Sequence, residues 1–230
     1  MIISHKHNFI FLKTSKTAGT SIEIALSKFC GPNDVITPIS SEDEKLRSEL
    51  GYRGPQNCLP DDSNNCARSI LRKLLRQKQH RKFYNHIKAK KVKPLVGNLV
   101  WNNYFKFCVV RNPWDRVVSQ YYWRCKSEPR PSISEFLEAG AMRSLKRKSE
   151  GVYLINQKVV TNNFCRFENL LEDLEDIRKK IGLPESLNLP QAKAGYRKGK
   201  KNYRDILSES EKNKVTEFFS DEIKLLGYKF

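Results

Sequence analysis

Two short stretches of the chain combine cations, hydroxyls and a turn in ways that suit anion binding. The first is Lys13-Thr14-Ser15-Lys16-Thr17-Ala18-Gly19-Thr20-Ser21. It follows an apolar run, Asn8 to Lys13, that reads as a buried strand. It leads into a helical pattern whose Ile22, Ala25, Leu26 and Phe29 share one face, so backbone N–H groups and the helix dipole converge on the loop. Thr17, Thr20 and Ser21 add hydroxyl donors, Lys16 a mobile charge, and Gly19, next to Ala18, a backbone that a ligand can approach closely. The pattern differs from the G-x-x-x-x-G-K-[ST] of ATP and GTP enzymes, because here the lysine precedes the only glycine. The plain structural alternative is a helix cap of Thr and Ser beside two surface lysines.

The second stretch is Arg111-Asn112-Pro113-Trp114-Asp115-Arg116, with Ser119 two helical turns beyond Arg111. It follows a clear buried strand, Phe105 to Val110, and Pro113 suits the first turn of the helix that comes next. An arginine gives two parallel charge-assisted bonds to a phosphate, and a serine hydroxyl can give a third. Ligands in open α/β sheets bind beyond the carboxyl ends of the strands, so both loops can face one crevice. The alternative for Arg111 is a local ion pair with Asp115.

Taken together and in this order, the two stretches resemble the phosphosulfate-binding elements of the sulfotransferase superfamily, which uses the donor PAPS (3′-phosphoadenosine 5′-phosphosulfate). The likeness is greatest to the carbohydrate branch, with its uronyl 2-O and chondroitin-type enzymes and small bacterial relatives. Phe83-Tyr84-Asn85-His86, Tyr104 to Phe107, Arg166 to Leu170 and the ending Asp221 to Phe230 extend it over most of the chain. The resemblance implies that Lys16 sits by the oxygen bridging the 5′-phosphate and the sulfuryl group. It implies that Thr17, Ala18, Gly19, Thr20 and Ser21 hold the 5′-phosphate, with Lys13 a further candidate. Arg111 and Ser119 would hold the 3′-phosphate, and Lys200 or Arg197, in the basic loop Gly195 to Tyr203, would reach the same group; the alternative is a solvated basic loop. His86 stands where relatives carry their general base, a role that suits a histidine near neutral pH; Lys82 and Lys88 would depress its pKa, which keeps a base unprotonated, and the alternative is an exposed histidine in a basic segment. PAP is the implied product, no metal is required, and the implied partner is a hydroxyl-bearing carbohydrate acceptor, anionic or membrane-linked. Glu168 reads as structural, and His5, His7 and His80 as surface residues.

These residues need a frame to position them. At 230 residues the chain suffices for a single domain with one sizeable core, and strands alternating with helices argue for an α/β fold. The expected form is a P-loop-like three-layer sandwich, a central parallel sheet flanked by helices. Its elements are strands over 8–13, 105–110 and 159–167, helices from Thr20 to Phe29, after Pro113, from Leu170 to Ile181 and from Ser208 to Leu226, and another near Ile70 to Leu75. Residues 32 to about 66 read as loop, and 40–80 as an excursion near the acceptor side. With 43 Lys and Arg against 25 Asp and Glu, the net charge of +18 implies polyanionic partners. It leaves a kinase-like nucleotide enzyme and a non-catalytic polyanion or nucleic-acid module as alternatives. Neither a magnesium-binding acid nor a nucleic-acid motif supports them. The six cysteines lack metal-site spacing; Cys108 and Cys165 fall in apolar runs, and Cys58 and Cys66 pair only in an oxidising compartment. No run approaches the roughly 20 apolar residues of a membrane span, so the expected location is cytoplasmic. For a fragment of a longer anchored protein it is the Golgi lumen.

Overall fold

Alternation along the strands sets the architecture. In β2 (Phe9–Phe11) and β4 (Phe105–Val110), Phe9, Phe11, Phe107 and Val109 join one buried cluster, while Ile10, Cys108 and Val110 join a second. Neighbouring residues of a strand face opposite sides, so both faces of this sheet are apolar and both need a cover of helices. The computed structural model describes residues 1–59, 82–190 and 201–230.

The sheet has five strands in the order β3-β1-β2-β4-β7, where β1 is Ile2–Ser4, β3 Val35–Ile36 and β7 Asn163–Arg166. β2 pairs parallel to β4 and β4 parallel to β7, with Phe11 opposite Phe107 and Val110 opposite Arg166. β1 runs against both β2 and β3, so it alone is reversed in a mostly parallel sheet. That reversal departs from the parallel arrangement expected from the sequence; three residues are too few to show a period.

α1 (Gly19–Ser27) is buried along its whole length and lies on the phenylalanine face together with Leu174 and Ile177 of the later helix Leu170–Lys180. The other face is covered by α3 (Ala89–Asn103), α4 (Pro113–Arg124), α5 (Ile133–Glu138), α6 (Ala141–Arg147) and α7 (Glu150–Tyr153). α9 (Glu209–Phe218) and α10 (Ser220–Leu226) complete that layer, and Leu170–Lys180 is α8. Trp101, Val117, Val118, Tyr153 and Phe219 are among the side chains they bury.

Three sequence expectations change. Residues 41–49 are a helix, α2 (Ser41–Glu49), rather than loop: Ser40 caps it by accepting from the Asp43 N–H, and Glu42, Asp43 and Glu44 occupy its first turn, where the helix dipole favours carboxylates. Only Asn163–Arg166 of the third expected strand joins the main sheet. Lys158–Val159 (β6) instead pairs with Leu154–Ile155 (β5), through a tight turn in which Asn156 and Gln157 both have positive φ. The helical pattern from Ser208 breaks at Phe219 into α9 and α10. The helix expected near Ile70 lies outside the described residues, as do Cys66, His80, Arg197 and Lys200; Cys108 and Cys165 are buried thiols. No described helix is long and apolar enough to cross a membrane.

Candidate active site

The chain leaves β2 and turns into α1 through residues 12–18. Two non-glycine residues there adopt left-handed backbone, Lys16 at φ 63° and Ala18 at φ 56°. Such angles are uncommon outside glycine, and tertiary contacts hold them. The Thr14 hydroxyl donates to the Val109 carbonyl at the end of β4, and the Thr17 hydroxyl lies 2.8 Å from that of Thr14. Ala18 stands at the N-cap of α1 and supplies no side-chain cap, and the first turn carries no acid. The N-cap residue therefore offers the opening N–H groups no side-chain acceptor of its own, a position that suits an anion.

Gly19 serves this geometry through packing. A Cβ built there meets Lys13 Cγ at 2.9 Å and the Thr14 carbonyl at 3.4 Å, so the missing side chain lets α1 start hard against the strand. Lys13 itself is buried and gives its ammonium to Glu23 at 2.6 Å. Burial opposes the charge of Glu23, but the Met1 ammonium and Lys13 outweigh it and hold the carboxyl down to about 2.

The second loop meets the first directly. Arg111, just past the end of β4, donates to Asp115 at 2.8 Å and, from the other side of its guanidinium, to the Lys16 carbonyl at 3.0 Å. Its plane lies over Phe167, 3.9 Å from the ring centroid. Asn112 caps α4, accepting from the N–H groups of Trp114 and Asp115. Glu168 accepts from the Asn112 N–H at 2.7 Å and from the Tyr228 hydroxyl at 3.3 Å, a structural role. Both loops line one cleft of about 350 Å³, together with Ser119, Gln120 and Trp123 of α4, Asn85, His86, Lys148 and Phe167. Lys16 reaches over the Trp123 ring, its ammonium 5.1 Å from the centroid.

His86 enters this cleft from a turn rather than a helix. Phe83 and Ile87 on either side of it are buried, and Asn85 donates to the Pro38 carbonyl at 2.6 Å. These anchors hold His86 at φ 58°. Its Nδ1 lies 2.9 Å from the Lys13 carbonyl. A carbonyl can only accept, so Nδ1 carries the proton and Nε2 is the basic nitrogen. Burial, followed by the charges of Lys13, the N-terminal ammonium and Lys148, pushes the imidazole down to about 4, although its bond to Lys13 works the other way. The lysines expected to depress it, Lys82 and Lys88, are not among these causes.

A model of the sulfotransferase family matches residues 1–167. The chain belongs to the sulfotransferase family. An uncharacterized protein of Archaeoglobus fulgidus is 36% identical over 115 residues, which cover 49% of this chain and 92% of that protein. No solved structure matches.

In this sulfotransferase family member, every expected site residue that lies among the described residues borders the cleft: Lys13, Lys16, Thr17, Ala18, Gly19, Thr20, Ser21, His86, Arg111 and Ser119. They differ in what their side chains do. Lys13 is engaged with Glu23, and the Thr17 hydroxyl with Thr14, whereas Lys16 and Ser119 are half-buried in the cleft wall. The ion pair between Arg111 and Asp115, set against phosphate binding in the sequence, is present, and Arg111 lines the cleft as well. Asn85, Gln120, Trp123, Lys148 and Phe167 were missed. Trp123 lies four residues after Ser119 on α4 and so shares its face, a signal the spacing held. Phe167 lies just past the carboxyl end of β7, where ligands of such sheets gather. Lys148 carried no local signal. Among the described residues the lining has four lysines and arginines and no carboxylate, so it can hold a multiply charged anion beside a neutral base.

Proposed function

We propose that the chain transfers a sulfuryl group from PAPS to a hydroxyl of a carbohydrate acceptor by in-line displacement. One observation carries the reading: the loop holding Lys16 and the loop holding Arg111 open onto the same cleft and are joined by the bond from Arg111 to the Lys16 carbonyl. A donor with phosphate at both ends of an adenosine needs two anion sites sharing one space. The β2–loop–α1 unit, with its uncapped helix start, supports a P-loop-like three-layer arrangement for the 5′ end.

In this reading the acceptor hydroxyl attacks sulfur and gives its proton to Nε2 of His86. The new oxygen–sulfur bond forms as the bond from sulfur to the 5′-phosphate oxygen breaks, leaving PAP. Negative charge grows on that phosphate oxygen, and a fixed cation there lowers the barrier; Lys16 is the residue placed for it. Arg111 and Ser119 take the 3′-phosphate, Arg111 exchanging part of its hold on Asp115 for the ligand.

Thermal melts with ligand test the donor. PAP at 100 times its dissociation constant adds about 2.7 kcal/mol of stability, and ATP with magnesium should add much less. Equal shifts would favour a kinase-like enzyme, and no shift with either would favour a non-catalytic polyanion binder. Labelled PAPS offered to a panel of glycans and glycosides, read by mass spectrometry, then identifies the acceptor.

A further inference from the structure

We propose that Lys148 reads a fixed negative charge on the acceptor, a carboxylate or sulfate ester, beside the hydroxyl that His86 deprotonates. The inference rests on the sulfotransferase reading above. Of the four cations in the cleft, Lys13 is paired with Glu23, Arg111 with Asp115, and Lys16 belongs to the loop that faces the 5′-phosphate. Lys148 comes from neither anion loop. It closes α6, and its side chain makes no ion pair or hydrogen bond among the described residues. The carboxylate two positions on, Glu150, is taken by Lys146 at 3.5 Å.

Lys148 is half-buried in the cleft wall, and a charge on such a wall is favoured by an opposite charge on the ligand. It lines the cleft that His86 enters, so both can meet one bound molecule. The α4 wall adds what a sugar ring needs. Trp123 is 37% exposed and offers a flat apolar face. Gln120 is 4% exposed, and its amide oxygen has no hydrogen-bond partner among the described residues. Turning that amide toward the cleft would give a neighbouring hydroxyl an acceptor.

The test measures binding by calorimetry with PAP saturating. The probes are unsulfated chondroitin tetrasaccharide, its carboxyl-reduced form, and the carboxyl-reduced form bearing sulfate esters. They are compared on the unaltered chain, Lys148→Met, and Lys158→Met, which removes the same charge from an exposed site outside the cleft. The expected result is that one charged probe binds the unaltered chain about tenfold more tightly than the neutral one. Lys148→Met loses most of that preference, Lys158→Met keeps it, and PAP affinity is alike in all three. The preferred probe tells carboxylate from sulfate. Equal binding of all probes to the unaltered chain, or a preference that survives in Lys148→Met, overturns the proposal. So does weaker PAP binding in Lys148→Met, which would put the lysine on the donor. Failure of PAP to bind the unaltered chain removes the donor reading itself, and this inference with it.

Discussion

Lys16 and His86 are both held in left-handed backbone, at φ 63° and 58°. That conformation costs roughly 1–2 kcal/mol for each residue with a Cβ, so the surrounding contacts must fix it, and they fix the side chains too. For Lys16 the expected consequence is a defect confined to turnover. Lys16→Ala should lower kcat about 10²- to 10³-fold, as loss of a transition-state charge partner does, while PAP affinity measured by calorimetry changes far less. For His86 the consequence is a pH profile. Burial moves the imidazole from the ordinary 6.5 down to about 4, so the folded chain binds this proton less readily than the unfolded chain does. The neutral side chain therefore costs no stability above the ordinary histidine range, and stability is lost as pH falls from there toward 4. Activity follows the same sign: the acid limb of kcat/KM should lie near 4 rather than 6.5. His86→Asn should remove that limb and lower kcat about 10²- to 10⁴-fold. A limb that persists unchanged in the variant would mean that another group takes the proton.

At the scale of the element, α1 and the strand before it depend on one missing methyl group. Alanine is the better helix former by about 1 kcal/mol in a helix interior, but Gly19→Ala would place its Cβ 2.9 Å from a Lys13 side chain pinned by Glu23. Overpacking of this kind costs about 1–3 kcal/mol, so the clash should win. The variant is expected to melt lower and to bind PAP more weakly, checked by thermal melts with and without the ligand. This element also shows how far the sequence could be read. Its strand and helix were legible from a continuous apolar run and a 3.6-residue period, and so was the loop between them. The reason for Gly19 was not, because the residue it accommodates, Lys13, turns inward to Glu23 for a pairing that no local pattern reveals. Phe105–Val110 and Pro113–Arg124 were legible for the same reason as β2 and α1. β1, with three residues, and α2, whose polar sequence hides its cap at Ser40, were not. Lys148 reaches the cleft only through tertiary structure, since α6 is far from both loops in the chain.

At the scale of the whole molecule, a buried ion pair ties α4 to α10 across 106 positions of the chain. Arg116, on α4 between Arg111 and Ser119, donates through both terminal nitrogens to Glu222 of α10, and the Tyr153 hydroxyl donates to the same carboxylate at 3.0 Å. Both charged side chains are about 1% exposed. Desolvating two charges costs several kcal/mol each, so the pair is weak evidence for net stability, yet removing one partner leaves the other charge buried and alone. Glu222→Leu should therefore destabilise the chain by about 3–5 kcal/mol, a fall in Tm of roughly 10 °C for a chain of this length. The double variant Arg116→Met with Glu222→Leu removes both charges and should recover most of that loss. Tyr153→Phe, which only drops one donor, should cost about 1 kcal/mol. PAP affinity separates the two roles the pair could have. If the ion pair serves only to satisfy its own charges, the double variant binds PAP as the unaltered chain does, because α4 again sits on an apolar layer. If the pair sets the position of α4, the double variant is stable but binds PAP poorly, since Arg111 and Ser119 no longer face the loop at Lys16. The apolar surroundings of the pair, with Phe219 5.0 Å from the Arg116 guanidinium, favour the first outcome, and calorimetry on the double variant decides between them.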